Sequence, residues 1–89
     1  MRAIITVIGK DQKGIIATVS NTLAKCDINI LDISQTILEE YFTMIMLVDL
    51  NSMNLTLDEI KLKLNVDAEN LKVSIRIQRE DLFNSMHSI

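Results

Sequence analysis

Ile8-Gly9-Lys10-Asp11-Gln12-Lys13-Gly14-Ile15-Ile16 is the stretch on which the reading of this chain turns. An apolar run from Ala3 leads into it and reads as a strand; an amphipathic pattern leaves it from Ile15 and reads as a helix. The only two glycines in 89 residues bracket Asp11. Glycine permits positive φ and close backbone approach, so the loop's path is constrained. Its far end is a helix start, where the first N–H groups lack intrahelical partners and the dipole favours an anion. Two readings follow. In one, Asp11 caps the helix and the glycines only make a βα corner. In the other, the loop is a ligand site.

Working outward, Ala3, Ile5 and Val7 face one way and Ile4, Thr6 and Ile8 the other, so Ala3–Gly9 reads as a central strand, apolar on both sides. Ile16, Val19, Leu23 and Cys26 then recur at helical spacing and give one core face. Ile28 to Leu38 is rich in β-branched residues. Its apolar phase switches near Ile30-Leu31, which predicts a twist or a bulge, and Asp32, Ser34 and Thr36 form a polar row. Glu39-Glu40 reads as a hairpin turn. Tyr41–Leu50 reads as a second central strand, with Phe42, Met44, Met46 and Val48 on one side and Tyr41, Thr43, Ile45 and Leu47 on the other.

After a loop at Asn51–Asn54, Thr56 and Glu59 have the spacing of a capping box, with Leu55 and Ile60 as its staple. The stripe Leu57, Ile60, Leu64, Ala68 and Leu71 predicts a helix, although Asn65-Val66-Asp67 is poor helical sequence. Leu71 to Gln78 alternates apolar and polar and reads as an edge strand. Residues 1–79 therefore form one α+β domain of ferredoxin-like βαββαβ order, with an antiparallel four-stranded sheet ordered 4-1-3-2 and both helices on one face. Residues 80–89 form a tail, with Leu82, Phe83, Met86 and Ile89 at near-helical spacing. Helices on one face leave a second apolar row uncovered. The tail or a second copy would cover it, and the long edge at Ile28–Leu38 invites pairing; both favour a homo-oligomer.

Composition closes off several functions. A net charge of −3 without a dense Lys/Arg run argues against a nucleic-acid binder. No apolar run is long enough to span a bilayer and no leader pattern opens the chain, which predicts a cytoplasmic protein. Cys26 is alone and reads as a small buried hydrophobe; no Cys-x-x-Cys supports a metal site. Tyr41 and Phe42 are adjacent and cannot line one sheet face as an RNA-stacking ladder would. The loop has no Arg to cradle a phosphate, and the single His87 lies near the end. No acid–base pair converges, so no enzyme and no cofactor is expected.

The segment Ile5–Gly14, the Asp-x-x-Gly-Ile of Asp11–Ile15 and Asn29-Ile30 at the second strand resemble an ACT domain. Gly9-Lys10-Asp11, Phe42-Thr43-Met44 and the tail Glu80-Asp81-Leu82-Phe83-Asn84-Ser85-Met86-His87 are most similar to the small stand-alone ACT proteins of the UPF0237 group, which are similar in turn to the modules of the glycine cleavage system repressor. The resemblance implies a regulatory module that binds a small molecule, usually an amino acid, at a dimer interface. By position it implies a ligand set of Asp11, Gln12, Gly14, Ile15, Asn29 and Ile30. Asp11 would take the α-ammonium or a polar side chain. Gly14 with the N–H groups of Ile15 and Ile16 would approach the carboxylate, and Asn29 with the Ile30 backbone would reach in from the partner. A zwitterion needs an anion and a cluster of donors a few ångströms apart, which an Asp beside a helix start supplies. Gly9 stands where serine-sensing members carry His, and Lys13 where many carry Pro. The alternative is a ligand-free protein–protein interaction module acting on a regulated partner through the sheet edge, the tail or the surplus apolar row, taken to include Phe42, Met44 and Met46.

Overall fold

The computed structural model describes residues 1–82. Its elements are β1 (Arg2–Lys10), α1 (Ile15–Lys25), β2 (Asn29–Leu38), β3 (Tyr41–Asp49), α2 (Leu57–Leu71) and β4 (Ser74–Arg79). The sheet is antiparallel and ordered β2-β3-β1-β4, the predicted 4-1-3-2 order read from the other edge. The two predicted central strands are central, and the alternating strand β4 is an edge.

The core lies between the sheet and the two helices. Ala3, Ile5 and Val7 of β1, and Phe42, Met44, Met46 and Val48 of β3, pack against Val19 and Leu23 of α1 and Ile60 and Leu64 of α2, all buried. Removing water from a side chain of this size contributes roughly 1.5–3 kcal/mol. Phe42, Met44 and Met46 are therefore core residues, which corrects their assignment to the surplus row. Their parity places them with Ile5 and Val7, which pair with Met46 and Met44. The uncovered row is the opposite one: Ile4 and Ile8 beside Leu47, Ile45 and Thr43, with Ile8 52% and Ile45 42% exposed.

Two details differ from the sequence reading. The helix α1 starts at Ile15 as read, but Ile15 rather than Ile16 opens its buried face, and Ile16 is 37% exposed. Both residues fit a 3.6-residue period through Val19; the left-handed turn at Gly14 decides which one enters the core. Leu71 does not begin β4. It is the last residue of α2, buried, and the helix runs through Asn65-Val66-Asp67 because the apolar stripe continues beneath them. Lys72, in the left-handed region at φ 57, then turns the chain. The Val73 N–H donates to the Ala68 carbonyl at 3.0 Å in a Schellman-type close.

The phase switch in β2 is a bulge. The register slips between Ile30 and Asp32, so Leu31 faces no partner. The slip returns Ile33, Gln35 and Ile37 to the helix side, opposite Met46, Met44 and Phe42, while Asp32, Ser34 and Thr36 point to the open side. At the other end of the chain, Glu80 begins a helical turn and receives a bidentate ion pair from Arg2 at 2.7–3.1 Å. The amphipathic helix expected from Leu82, Phe83, Met86 and Ile89 falls mostly on residues 83–89, which lie outside the described residues. No helix among the described residues is long and apolar enough to cross a membrane.

Candidate functional site

The two glycines do different work. Gly9 has no positive φ; it is needed for space. It lies on the core face opposite Phe42, and a Cβ there would sit 2.6 Å from Val73 Cγ1 and 3.1 Å from Val73 Cα. Gly14 has φ 90 and is the N-cap of α1, a conformation that L side chains rarely adopt. Asp11 does not cap the helix, so the plain-corner reading fails on that point: among the described residues no side chain caps α1, and no acid stands in its first turn. The first intrahelical bond runs from the Thr18 N–H to the Gly14 carbonyl at 2.9 Å. The N–H groups of Ile15, Ile16 and Ala17 are thus left without helical partners, at the positive end of the dipole.

The loop itself is tied down. The Asp11 N–H donates to the Glu40 carbonyl in the β2–β3 turn at 2.7 Å. The Gln12 side-chain Nε2 donates to the Leu71 carbonyl at the end of α2. Lys10 reaches Glu40 only at 4.0 Å between exposed side chains, a pair worth little.

A cleft of about 220 Å³ opens beside this loop. It is lined by Asp11, Gln12 and Gly14 of the loop, by Ile15, Ile16 and Ala17 of the first turn of α1, by Gln35 and Ile37 of β2, and by the buried Phe42. Four of the six residues predicted for the ligand set therefore line one hollow. Asn29 and Ile30 do not. Asn29 pairs with Asp49, which pairs with Arg2, whereas the loop leaves β1 after Lys10 beside Tyr41. The two places are a strand length apart, roughly 26 Å at ~3.3 Å per residue.

Sequence reasoning missed Gln35 and Ile37. Their signal was a single polar residue in the row Ile33-Gln35-Ile37, visible only once the bulge fixes which side that row faces. Larger hollows of about 280 and 530 Å³ lie along the groove between α1 and α2. They are open surface lined mostly by polar side chains such as Thr22, Lys25, Lys63 and Asp67, and the Thr22 hydroxyl and Asp67 carboxylate satisfy each other there. Among the described residues no group of His, Cys, Asp and Glu could hold a metal ion.

Residues 2–78 match the family model described as the ACT domain. A UPF0237 protein of Clostridium acetobutylicum is 58% identical over 89 residues, covering all of both chains. An ACT domain protein from Streptococcus pneumoniae has the same fold, with a TM-score of 0.80 at 42% identity over 93% of each chain. The regulatory subunit of aspartate kinase from Thermus thermophilus, in a ligand-free form, superposes with a TM-score of 0.68 at 24% identity, over 86% of this chain and 50% of that one; this likeness is one of fold.

Proposed function

The chain belongs to the ACT domain family and to its UPF0237 group, and on that premise we propose that it is a regulatory module binding an amino acid or similar small zwitterion between two copies of itself. ACT domains are regulatory, ligand-binding modules, which supports the reading at the level of the family. The observation that carries it in this chain is that the uncapped start of α1, Asp11 and the edge strand β2 line one cleft. The free N–H groups of Ile15 and Ile16 suit a carboxylate, Asp11 suits an ammonium, and Ile16, Ile37 and Phe42 offer apolar surface for a side chain.

The second copy follows from β2. Its outer edge pairs with nothing among the described residues, and it is long and exposed. Two such edges meeting antiparallel about a two-fold axis would carry Asn29 and Ile30 of the partner subunit toward the Gln35–Ile37 end of this chain, where the cleft lies. The strand-length gap within one chain is then the spacing that a shared site requires.

The test is thermal unfolding against the twenty amino acids at millimolar concentration. A ligand of the folded state raises the midpoint, by the equivalent of about 2.7 kcal/mol at ~100 times its dissociation constant. One or two amino acids shift the parent and none shifts Asp11→Ala. A second reading, a ligand-free interaction module, is favoured by the uncovered row at Ile8 and Ile45. It gains if no amino acid shifts the parent while Ile45→Asp lowers its mass in solution.

A further inference from the structure

Gln12 lies in the middle of the ligand loop, yet one N–H of its side-chain amide donates to the Leu71 carbonyl, 59 residues away in sequence, which ties the amide to α2. That carbonyl belongs to the last turn of α2, where carbonyls lack helical partners. The corner that follows satisfies two others: Lys72 N–H donates to Glu69 and Val73 N–H to Ala68, at 3.3 and 3.0 Å. On the far side of Asp11, Val73 fills the space above Gly9 that a side chain would need. The corner Leu71–Lys72–Val73 thus grips the loop on both sides of Asp11, while the Glu40 carbonyl holds the Asp11 N–H between them.

We propose that Gln12 is a positioning residue rather than a ligand contact, and that the α2–β4 corner is the template that fixes where the Asp11 carboxylate stands. This role rests on the ligand-binding reading for its consequence and on the contacts alone for its geometry. The corner suits the task because its own path is over-determined. Leu71 is buried, Lys72 is held in the left-handed region at φ 57, and Val73 is packed against the core. The loop contributes no comparable anchor; its residues from Asp11 to Gly14 are all exposed. A loop fixed by a remote corner presents a ready geometry, so a ligand need not order it on binding.

The experiment follows backbone amides in the full-length protein and in three variants, with amino-acid affinity measured in parallel. Gln12→Met keeps length and removes the donor. The Asp11 N–H then exchanges about tenfold faster, the worth of roughly one hydrogen bond, and affinity falls by a similar factor without a change of preferred amino acid. Signals of Leu71–Val73 move together with those of Lys10–Gly14. Gln12→Lys supplies a new donor for the Leu71 carbonyl, favourable at a helix C-terminus, and restores both exchange and affinity. Val73→Ala, outside the cleft, loosens the loop in the same sense. The inference is overturned if Gln12→Met leaves Asp11 exchange and the corner signals unchanged. It is equally overturned if Gln12→Lys restores exchange but not affinity, because the amide would then be touching the ligand. If the parent binds no amino acid, the ligand reading is lost, and the exchange data still decide whether the corner positions the loop.

Discussion

The two helices begin in opposite ways. At α2 the Thr56 hydroxyl accepts from the Glu59 N–H at 3.2 Å, and the Glu59 carboxylate accepts from the Thr56 N–H at 3.1 Å. Asp58 and Glu59 add negative charge to the first turn. At α1, among the described residues, there is no side-chain cap and the first turn has no acid, only Gly14 before it. Both helices follow the same kind of strand and lie on the same sheet. The difference teaches which helix start is finished by its own residues and which is left for something else to finish. The finished end is a folding signal. The open end lines a cleft together with Asp11.

The first way to break that contrast is to disturb the loop that keeps α1 open. Gly9→Ala places a Cβ against the Val73 side chain and backbone, and overpacking of this kind costs ~1–3 kcal/mol. Val73→Ala should recover part of the loss, because the two sites share one contact; a double-mutant cycle of denaturant unfolding reads the coupling. The next is to open the closed end. Thr56→Ala should cost about 1 kcal/mol, within the usual range of roughly 0.5–2, and leave ligand response intact.

Closing the open end is the sharper test. Ala17→Glu puts an acid in the first turn of α1, where an exposed residue can turn toward the unpartnered N–H groups. The free protein should gain ~0.3–1 kcal/mol, and the amino-acid response should disappear because the protein's own carboxylate competes for the donors. A gain in stability with undiminished ligand response would separate the helix start from the site.

The smallest effect is one of pH. Hydrogen bonds from the Thr56 backbone and then its hydroxyl hold the Glu59 carboxyl below the ordinary carboxylate range, with desolvation opposing and Lys63 adding a minor favourable part. A carboxyl lowered on folding contributes stability above its unfolded value, and that contribution is lost as pH falls through the folded value. The unfolding midpoint of the parent should therefore exceed that of Glu59→Gln at neutral pH, and the difference should close on acidification. The first turn of α1, having no acid, adds nothing to this trend.

What the sequence made legible follows the range of each contact. The capping box is a matter of four consecutive residues, and it reads correctly. The element order and the two-sided apolar strands are sums over many residues, and they place β1 and β3 at the centre. The bulge showed as a switch of phase at Ile30-Leu31. The loop was legible as a loop because of its glycines, but not how it is held. Val73 over Gly9 and Leu71 beneath Gln12 come from a corner some sixty residues later, and no local pattern announces them. Ile15 and Ile16 compete for one helical phase, and only the entry angle set by Gly14 separates them. Asn29 lies a strand length from the cleft, and its place in the proposed ligand set rests on resemblance alone.

The most direct measurement is therefore one of complementation. Asp11→Ala and Asn29→Ala chains are each assayed by calorimetry with the amino acid that stabilises the parent, and then mixed in equal amounts, exchanged and assayed again. Neither variant binds alone. In the mixture, half the pairs contain one chain of each kind, and each such pair joins one intact loop to one intact β2 edge; about a quarter of the parent's sites should return at the parent's affinity. A mixture as inert as its components would contradict a site shared between two copies.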